Sequence, residues 1–231
     1  MIKNNTLRIK PLKLRHYQKS TWDAILSNDE RCKYIYEIAP RRCGKDIKCL
    51  NALSIRMIKQ TETVLYCLPT LSQAKEVIWH ARDNTGKRLL DCFPEQLVTN
   101  VNNSDYRLTL FNGSTLKLGG SDNFEKGGVG VNPSIIVISE YARSAPNTLS
   151  YISPIIAANP RAKLILLTTP WGGQGSEPYK DWIYALENPD HWYTYMTTVE
   201  ETKHIPENQL KYERSRMSTT LYNQEYLCMW S

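Results

Sequence analysis

Four short apolar runs punctuate the chain, at residues 34–38, 63–68, 134–138 and 163–167, and each ends at a turn or polar group. They are short, rich in β-branched and aromatic residues, and apolar on both faces, which predicts buried strands. Helix-like segments lie around them, at residues 17–27, 47–58, 72–90, 148–158, 178–186 and 207–226. In the third of these, Ala74, Val77, Ile78 and Ala81 recur at i, i+3, i+4 and i+7. Residues 106–111 and 114–118 flank Asn112-Gly113, a strong hairpin signal. Gly119-Gly120 opens a polar, glycine-rich loop reaching Asn132, and residues 191–199 read as an aromatic-rich extended stretch. Buried strands alternating with helices predict an α/β fold: a central, mainly parallel sheet flanked by helices. In such sheets ligands gather at the carboxyl ends of the strands. The residues to inspect are therefore 41–46, Pro69-Thr70, Ser139-Glu140 and Thr168-Thr169.

Composition narrows the class. A chain of 231 residues, 41% apolar, suits one large domain. No apolar run approaches the roughly 18 residues of a membrane helix, and residues 1–5 lack the apolar core of a signal peptide. The six cysteines show no C-x-x-C pair and no histidine nearby, so reduced, mostly buried thiols in a cytosolic setting are expected. The net charge of +6 is uneven: Lys3, Arg8, Lys10, Lys13, Arg15 and Lys19 precede the first acid. That cluster reads either as a solvated tail or as a contact for nucleic-acid phosphates.

The candidate chemistry centres on Pro40-Arg41-Arg42-Cys43-Gly44-Lys45-Asp46, which joins the first strand to a helix. Strand, glycine-containing loop and helix is how a nucleoside triphosphate is held, with backbone N–H groups and a lysine on the phosphates. Lys45 is the candidate for the β- and γ-phosphates, and Gly44 lets the backbone approach. The loop departs from G-x-x-x-x-G-K-[ST] twice, with Ala39 in place of the first glycine and Asp46 in place of the hydroxyl residue. Asp46 reads either as a partner of the helix dipole or as a holder of Mg²⁺. Arg41 and Arg42 read either as loop residues in solvent or as γ-phosphate contacts. Glu140 suits a base that orients the attacking water, and the Ser139 hydroxyl can bind a metal-bound water. Thr168 and Thr169 read equally as a strand-ending turn or as sensors of the γ-phosphate. Tyr17 can stack on a base, and Gln18 can read its edge.

Six motifs in this order resemble the ATPase half of the large terminase subunit of tailed bacteriophages. They are Leu14 to Gln18, the Arg41-Arg42-Cys43-Gly44-Lys45-Asp46 loop, Leu68-Pro69-Thr70 with Gln73-Ala74-Lys75, Asn112-Gly113-Ser114, Ile138 to Ala142, and Leu167 to Pro170. The resemblance spans roughly residues 12–231. It implies a RecA-like P-loop NTPase fold of the ASCE type and an ATP-driven motor. By position it makes Arg41 the in-loop arginine, Lys45 the phosphate lysine, Glu140 the catalytic glutamate and Thr168-Thr169 the coupling motif. Tyr17, Gln18 and residues 40–46 would bind ATP, and Asp46 with Ser139 would hold Mg²⁺. The implied partners are double-stranded viral DNA, a portal protein, a small terminase subunit and further copies in a ring of five, with a monomer expected in solution. The implied location is the cytoplasm of the infected bacterium. A core of about residues 12–190 and a lid or linker of about 191–231 are expected, without the nuclease half. The basic N-terminus and the 119–130 loop are the candidate DNA contacts, and Arg143 is a candidate to act on a neighbouring subunit. The competing readings are a superfamily-2-like helicase or translocase domain, and a non-hydrolysing nucleotide- or DNA-binding module.

Overall fold

A computed structural model describes residues 12–125 and 132–231. The basic positions Lys3, Arg8 and Lys10 and much of the 119–130 loop lie outside the described residues. In chain order the strands are β1 (Tyr34–Ile38), β2 (Thr63–Leu68), β3 (Val98–Asn102), β4 (Arg107–Leu110), β5 (Thr115–Gly120), β6 (Ile135–Ser139), β7 (Lys163–Thr168) and β8 (Trp192–Met196). The α-helices are α1 (Lys19–Leu26), α2 (Lys45–Lys59), α3 (Leu71–Ala74), α4 (Thr148–Ala158), α5 (Glu177–Glu187), α6 (Val199–Thr202), α7 (Glu207–Arg216) and α8 (Thr219–Tyr226).

The strands form one eight-stranded sheet in the order β3-β4-β5-β2-β6-β7-β1-β8. All pairings are parallel except β3 with β4 and β4 with β5. Because side chains alternate along a strand, each buried run feeds two cores. Ile35, Val64, Tyr66, Ile135, Val137, Ile165 and Leu167 pack with Trp22 and Ile25 of α1 and Leu50, Leu53 and Met57 of α2. Tyr36, Ile38, Leu65, Ile136, Ile138, Leu164 and Leu166 pack with Ile152 and Ile156 of α4 and Trp182 of α5. Polar residues within the runs follow the same alternation. Glu37, Ser139 and Lys163 share the α1/α2 side, and Thr168 falls on the α4/α5 side.

Several elements differ from the sequence pattern. The helix expected over residues 72–90 stops at His80: α3 runs into π-helical turns, Lys75–His80. Asp83 then accepts from the backbone N–H groups of Thr85 and Lys87, and Gly86 takes φ +81°. This local side-chain-to-backbone turn competes with helix and wins. The helix expected over 207–226 is two helices, because Ser218 caps α8 by accepting from the Leu221 N–H. Gly119 and Gly120 end β5 rather than opening the loop. β3, a polar edge strand, has no counterpart among the expected strands. The aromatic stretch becomes β8, which pairs with β1, so the sheet extends to Met196. All six cysteines are free thiols, four buried and two half-buried. Among the described residues no helix is long and apolar enough to cross a membrane.

Candidate functional site

The strand order decides which loops meet. β7 lies between β1 and β6, so the carboxyl ends of β1, β7 and β6 bring the 39–46 loop, Thr168-Thr169 and Ser139-Glu140 together. Gly44 precedes α2 at φ +87°, where an added Cβ would stand 3.0 Å from Gln18 Nε2 and 3.1 Å from Ile47 Cγ2. Only glycine meets both the left-handed turn and the close packing. Arg42 and Glu140 are also left-handed, at φ 57° and 56°.

Lys45 is 5% exposed. Its Nζ donates to Thr169 Oγ1 (3.0 Å) and to the carbonyls of Ala39 (3.3 Å) and Pro40 (3.4 Å), and lies 4.0 Å from Glu140 Oε1. Burial opposes its charge, but the fields of Glu140, Cys43, Asp46 and Glu37 outweigh burial and hold its pKa above the usual lysine value. The lysine therefore stays cationic. Thr169 Oγ1 in turn donates to Ala39 O at 2.7 Å. Thr168 Oγ1 accepts from the Ala142 N–H, just after Glu140, and donates to Thr169 O, both at 3.0 Å. The two threonines thus link the 39–46 loop, Lys45 and the turn after Glu140.

Asp46, at the start of α2, accepts on one oxygen from Ser139 Oγ (2.6 Å) and from Tyr66 OH (2.7 Å). Burial, with Asp46 beside it, pushes the Tyr66 hydroxyl well above the usual tyrosine range, so Tyr66 remains a donor. A carboxylate and a hydroxyl are hard oxygen donors of the kind Mg²⁺ takes. Among the described residues no group of three or more His, Cys, Asp or Glu forms a cage that could hold a metal without further ligands.

Tyr17 and Gln18 sit under the loop rather than open to a base. Tyr17 OH donates to Cys43 O at 2.9 Å. Gln18 Nε2 donates to the same carbonyl at 3.3 Å, while its Oε1 accepts from the Arg15 N–H at 3.0 Å. Both ends of the amide are occupied by backbone, so in this arrangement the pair buttresses the loop. Arg41 pairs with Glu225 of α8 at 2.6 Å. Glu225 also faces Arg143 at 3.9 Å, and the Arg143 guanidinium lies 3.8 Å from the centre of the Trp171 ring. Arg42 is exposed beside these groups, and a cavity of about 550 Å³ opens between Arg41, Arg42, Arg143, Trp171 and Tyr226. His204 Nε2 donates to Arg41 O at 3.0 Å. Burial, only partly offset by that hydrogen bond, lowers its pKa and keeps it neutral. Tyr66, His204 and Glu225 were absent from the sequence reading. A tyrosine hydroxyl inside an apolar strand was a signal for the first, and nothing in the sequence marked the other two.

The larger cavity, about 900 Å³, lies at the opposite, amino ends of the strands. Its Lys163 and Arg56 are engaged with the carbonyls that end α1.

No family model matches the chain, and no curated protein is similar to it in sequence. Solved structures are similar in fold. The large terminase of a thermophilic bacteriophage, in complex with ADP, superposes with a TM-score of 0.72 at 14% identity, covering 94% of this chain and 54% of that one. The large terminase ATPase domain of Thermus phage P74-26 gives 0.69 at 15% identity, covering 98% of this chain and all of that one. The fold is that of a large terminase ATPase domain. The first terminase also superposes in complex with ATP-γ-S, at 0.69 and 14% identity, covering 93% of this chain and 52% of that one. The chain thus spans about half the length of that terminase. The P-loop NTPase fold expected from the motifs is the one observed, with β7 inserted between β1, which leads into the 39–46 loop, and β6, which ends just before Glu140.

Proposed function

We propose that this chain is the ATPase motor domain of a viral DNA-packaging terminase, hydrolysing Mg·ATP to drive double-stranded DNA into a procapsid. The observation that carries this is the meeting of Lys45, Glu140 and Thr169 at neighbouring strand ends, inside a terminase ATPase fold. Lys45, cationic and buried, neutralises charge on the terminal phosphates. Glu140, 30% exposed, orients and activates the attacking water. The α2 N-terminus and the 40–46 backbone receive the phosphates. Asp46, with the Ser139 hydroxyl bonded to it, would hold Mg²⁺, which supplies charge neutralisation when bound. Arg41 contributes to the transition state on leaving Glu225. Thr168 and Thr169 carry the change at the phosphate loop to the turn after Glu140 and to the 172–175 loop. Gln174 in that loop donates through its backbone N–H to Ser231 O at 3.3 Å. Double-stranded DNA, a portal protein, a small terminase subunit and sister copies in a ring are the partners this function requires, in the cytoplasm of the infected host.

Phosphate release with Mg·ATP tests the reading. Glu140→Gln should lower turnover by about 10²–10⁴-fold while keeping nucleotide binding, and Lys45→Ala should lose both. Parent turnover no greater than that of Glu140→Gln, with binding intact, would leave a non-hydrolysing nucleotide module. Strand separation by the parent would favour a helicase.

A further inference from the structure

In the usual phosphate-binding arrangement a hydroxyl residue follows the loop lysine, and a carboxylate ends the strand before the catalytic glutamate. In this chain the two are exchanged: Asp46 follows Lys45, and Ser139 precedes Glu140. The structure brings the exchanged residues into contact and adds a third, through the Ser139 and Tyr66 hydrogen bonds to Asp46 Oδ1. We propose that residues 46 and 139 are a reciprocal exchange that preserves one cation-holding pair. Asp46 is the direct ligand of the divalent cation that accompanies the nucleotide, and Ser139 and Tyr66 are the positioning residues that aim it. The inference rests on the reading of this site as a nucleotide site and deepens it.

Three observations carry it. Ser139 and Tyr66 lie on the α2 side of β6 and β2, which are hydrogen-bonded neighbours, so both hydroxyls converge on the first turn of α2. Both donate to the same oxygen. Asp46 Oδ2 accepts no hydrogen bond among the described residues, so the carboxylate is fixed by one oxygen and keeps the other for a ligand. Ser139 is fully buried, which holds its hydroxyl to that one task. The charge is also conserved: the exchanged pair keeps one carboxylate and one hydroxyl, the same net charge as the usual order. Changing either residue alone leaves two carboxylates or none. Magnesium sites beside phosphates commonly use one or two protein carboxylates, with phosphate and water completing the shell. One well-aimed carboxylate fits that role.

The test is a cycle of four proteins: the parent, Asp46→Ser, Ser139→Asp and the double variant that restores the usual order. Binding of a fluorescent ADP analogue is measured in EDTA and in Mg²⁺, and bound Mn²⁺ is counted by electron paramagnetic resonance with ADP present. In the parent, Mg²⁺ should tighten ADP binding and Mn²⁺ should bind at one site per chain. Asp46→Ser should weaken Mn²⁺ binding by about 10–100-fold, and the double variant should recover most of that loss. Ser139→Asp alone sets two carboxylates together and can unfold the chain, so Asp46→Ser and Tyr66→Phe carry the test independently. Tyr66→Phe should weaken Mn²⁺ binding by about tenfold while ADP affinity in EDTA stays at the parent value. A role in packing alone would lower the melting temperature without moving that metal titration. Parental Mn²⁺ binding in Asp46→Ser, or a folded double variant no better than Asp46→Ser, overturns the exchange and leaves the nucleotide site standing. A parent that binds ADP in neither condition removes both.

Discussion

Glu140 sits at φ 56° and ψ 41°, in left-handed backbone that a residue with a Cβ enters at a cost of about 1–2 kcal/mol. The strain has a use: the sharp turn after β6 presents the carboxylate near Lys45 while the following Ala142 N–H reaches Thr168. Strained non-glycine residues gather at functional sites for this reason. Glu140→Gly and Glu140→Ala both remove the carboxylate, but only glycine accepts the turn freely. The glycine variant should therefore unfold at the higher temperature, by a difference of about 1 kcal/mol. Equal melting temperatures would mean that the turn relaxes without strain. The sequence shows Lys45 after the first strand, Glu140 after the third buried run and Thr168-Thr169 after the fourth, and the fold brings these positions together. The sequence shows the donors and acceptors of Tyr17 and Gln18 but not what occupies them; in the fold their donors meet Cys43 O, and the Gln18 acceptor meets the Arg15 N–H.

Between β1 and α2, on either side of the 39–46 loop in sequence, Glu37 and Lys48 form a buried ion pair. Glu37 faces α2 because it alternates with Ile35 along the strand, and Lys48 lies in the first turn of the helix. Removing one partner of a buried pair leaves an uncompensated charge, whereas replacing both with apolar groups is often neutral. Glu37→Leu should lose about 3–5 kcal/mol of stability in urea unfolding, and Glu37→Leu with Lys48→Met should recover most of it. Failure of the double variant to recover would show that the pair has a role in the loop beyond mutual neutralisation. The buried strands and α2 were legible because pattern and length agree. The break after His80 and the split between α7 and α8 were hidden because each depends on a polar side chain, Asp83 or Ser218, choosing the backbone over solvent. The polar edge strand β3 was invisible to periodicity, since its place is set by pairing with β4.

Across the whole sheet the two ends have different electrostatics. At the carboxyl ends the charges are arranged around the 39–46 loop. At the amino ends Lys163 is buried with its amine on the carbonyls of Ala24, Ser27 and Cys32. Burial, reinforced by Arg56, lowers its pKa to about 8 from an ordinary 10.5. Below about pH 8 the folded and unfolded chains both carry this proton, and the burial penalty is fully present. Between about 8 and 10.5 the unfolded chain binds more protons, so this group makes stability rise with pH. The stability of the parent relative to Lys163→Met should climb across that window in urea titrations. A flat difference would show that the amine is not shifted. At the other end, Arg41–Glu225 fastens α8 to the 39–46 loop, and Arg143, between Glu225 and Trp171, connects it to the loop after β7, a link that only the folded chain reveals.

The sequence by itself determined the buried strands, the glycine-lysine loop between the first strand and α2, and the glutamate that follows β6. These follow from local chemistry: a run of apolar residues must be buried, and phosphates must meet a cation and free N–H groups. What only the tertiary structure decided is adjacency. Placing β7 between β1 and β6 joins Thr169 to Lys45 and Glu140, and placing β2 beside β6 turns Tyr66 and Ser139 onto Asp46. Strand order is settled by the packing of whole faces against helices, a sum over many distant residues that no local pattern encodes.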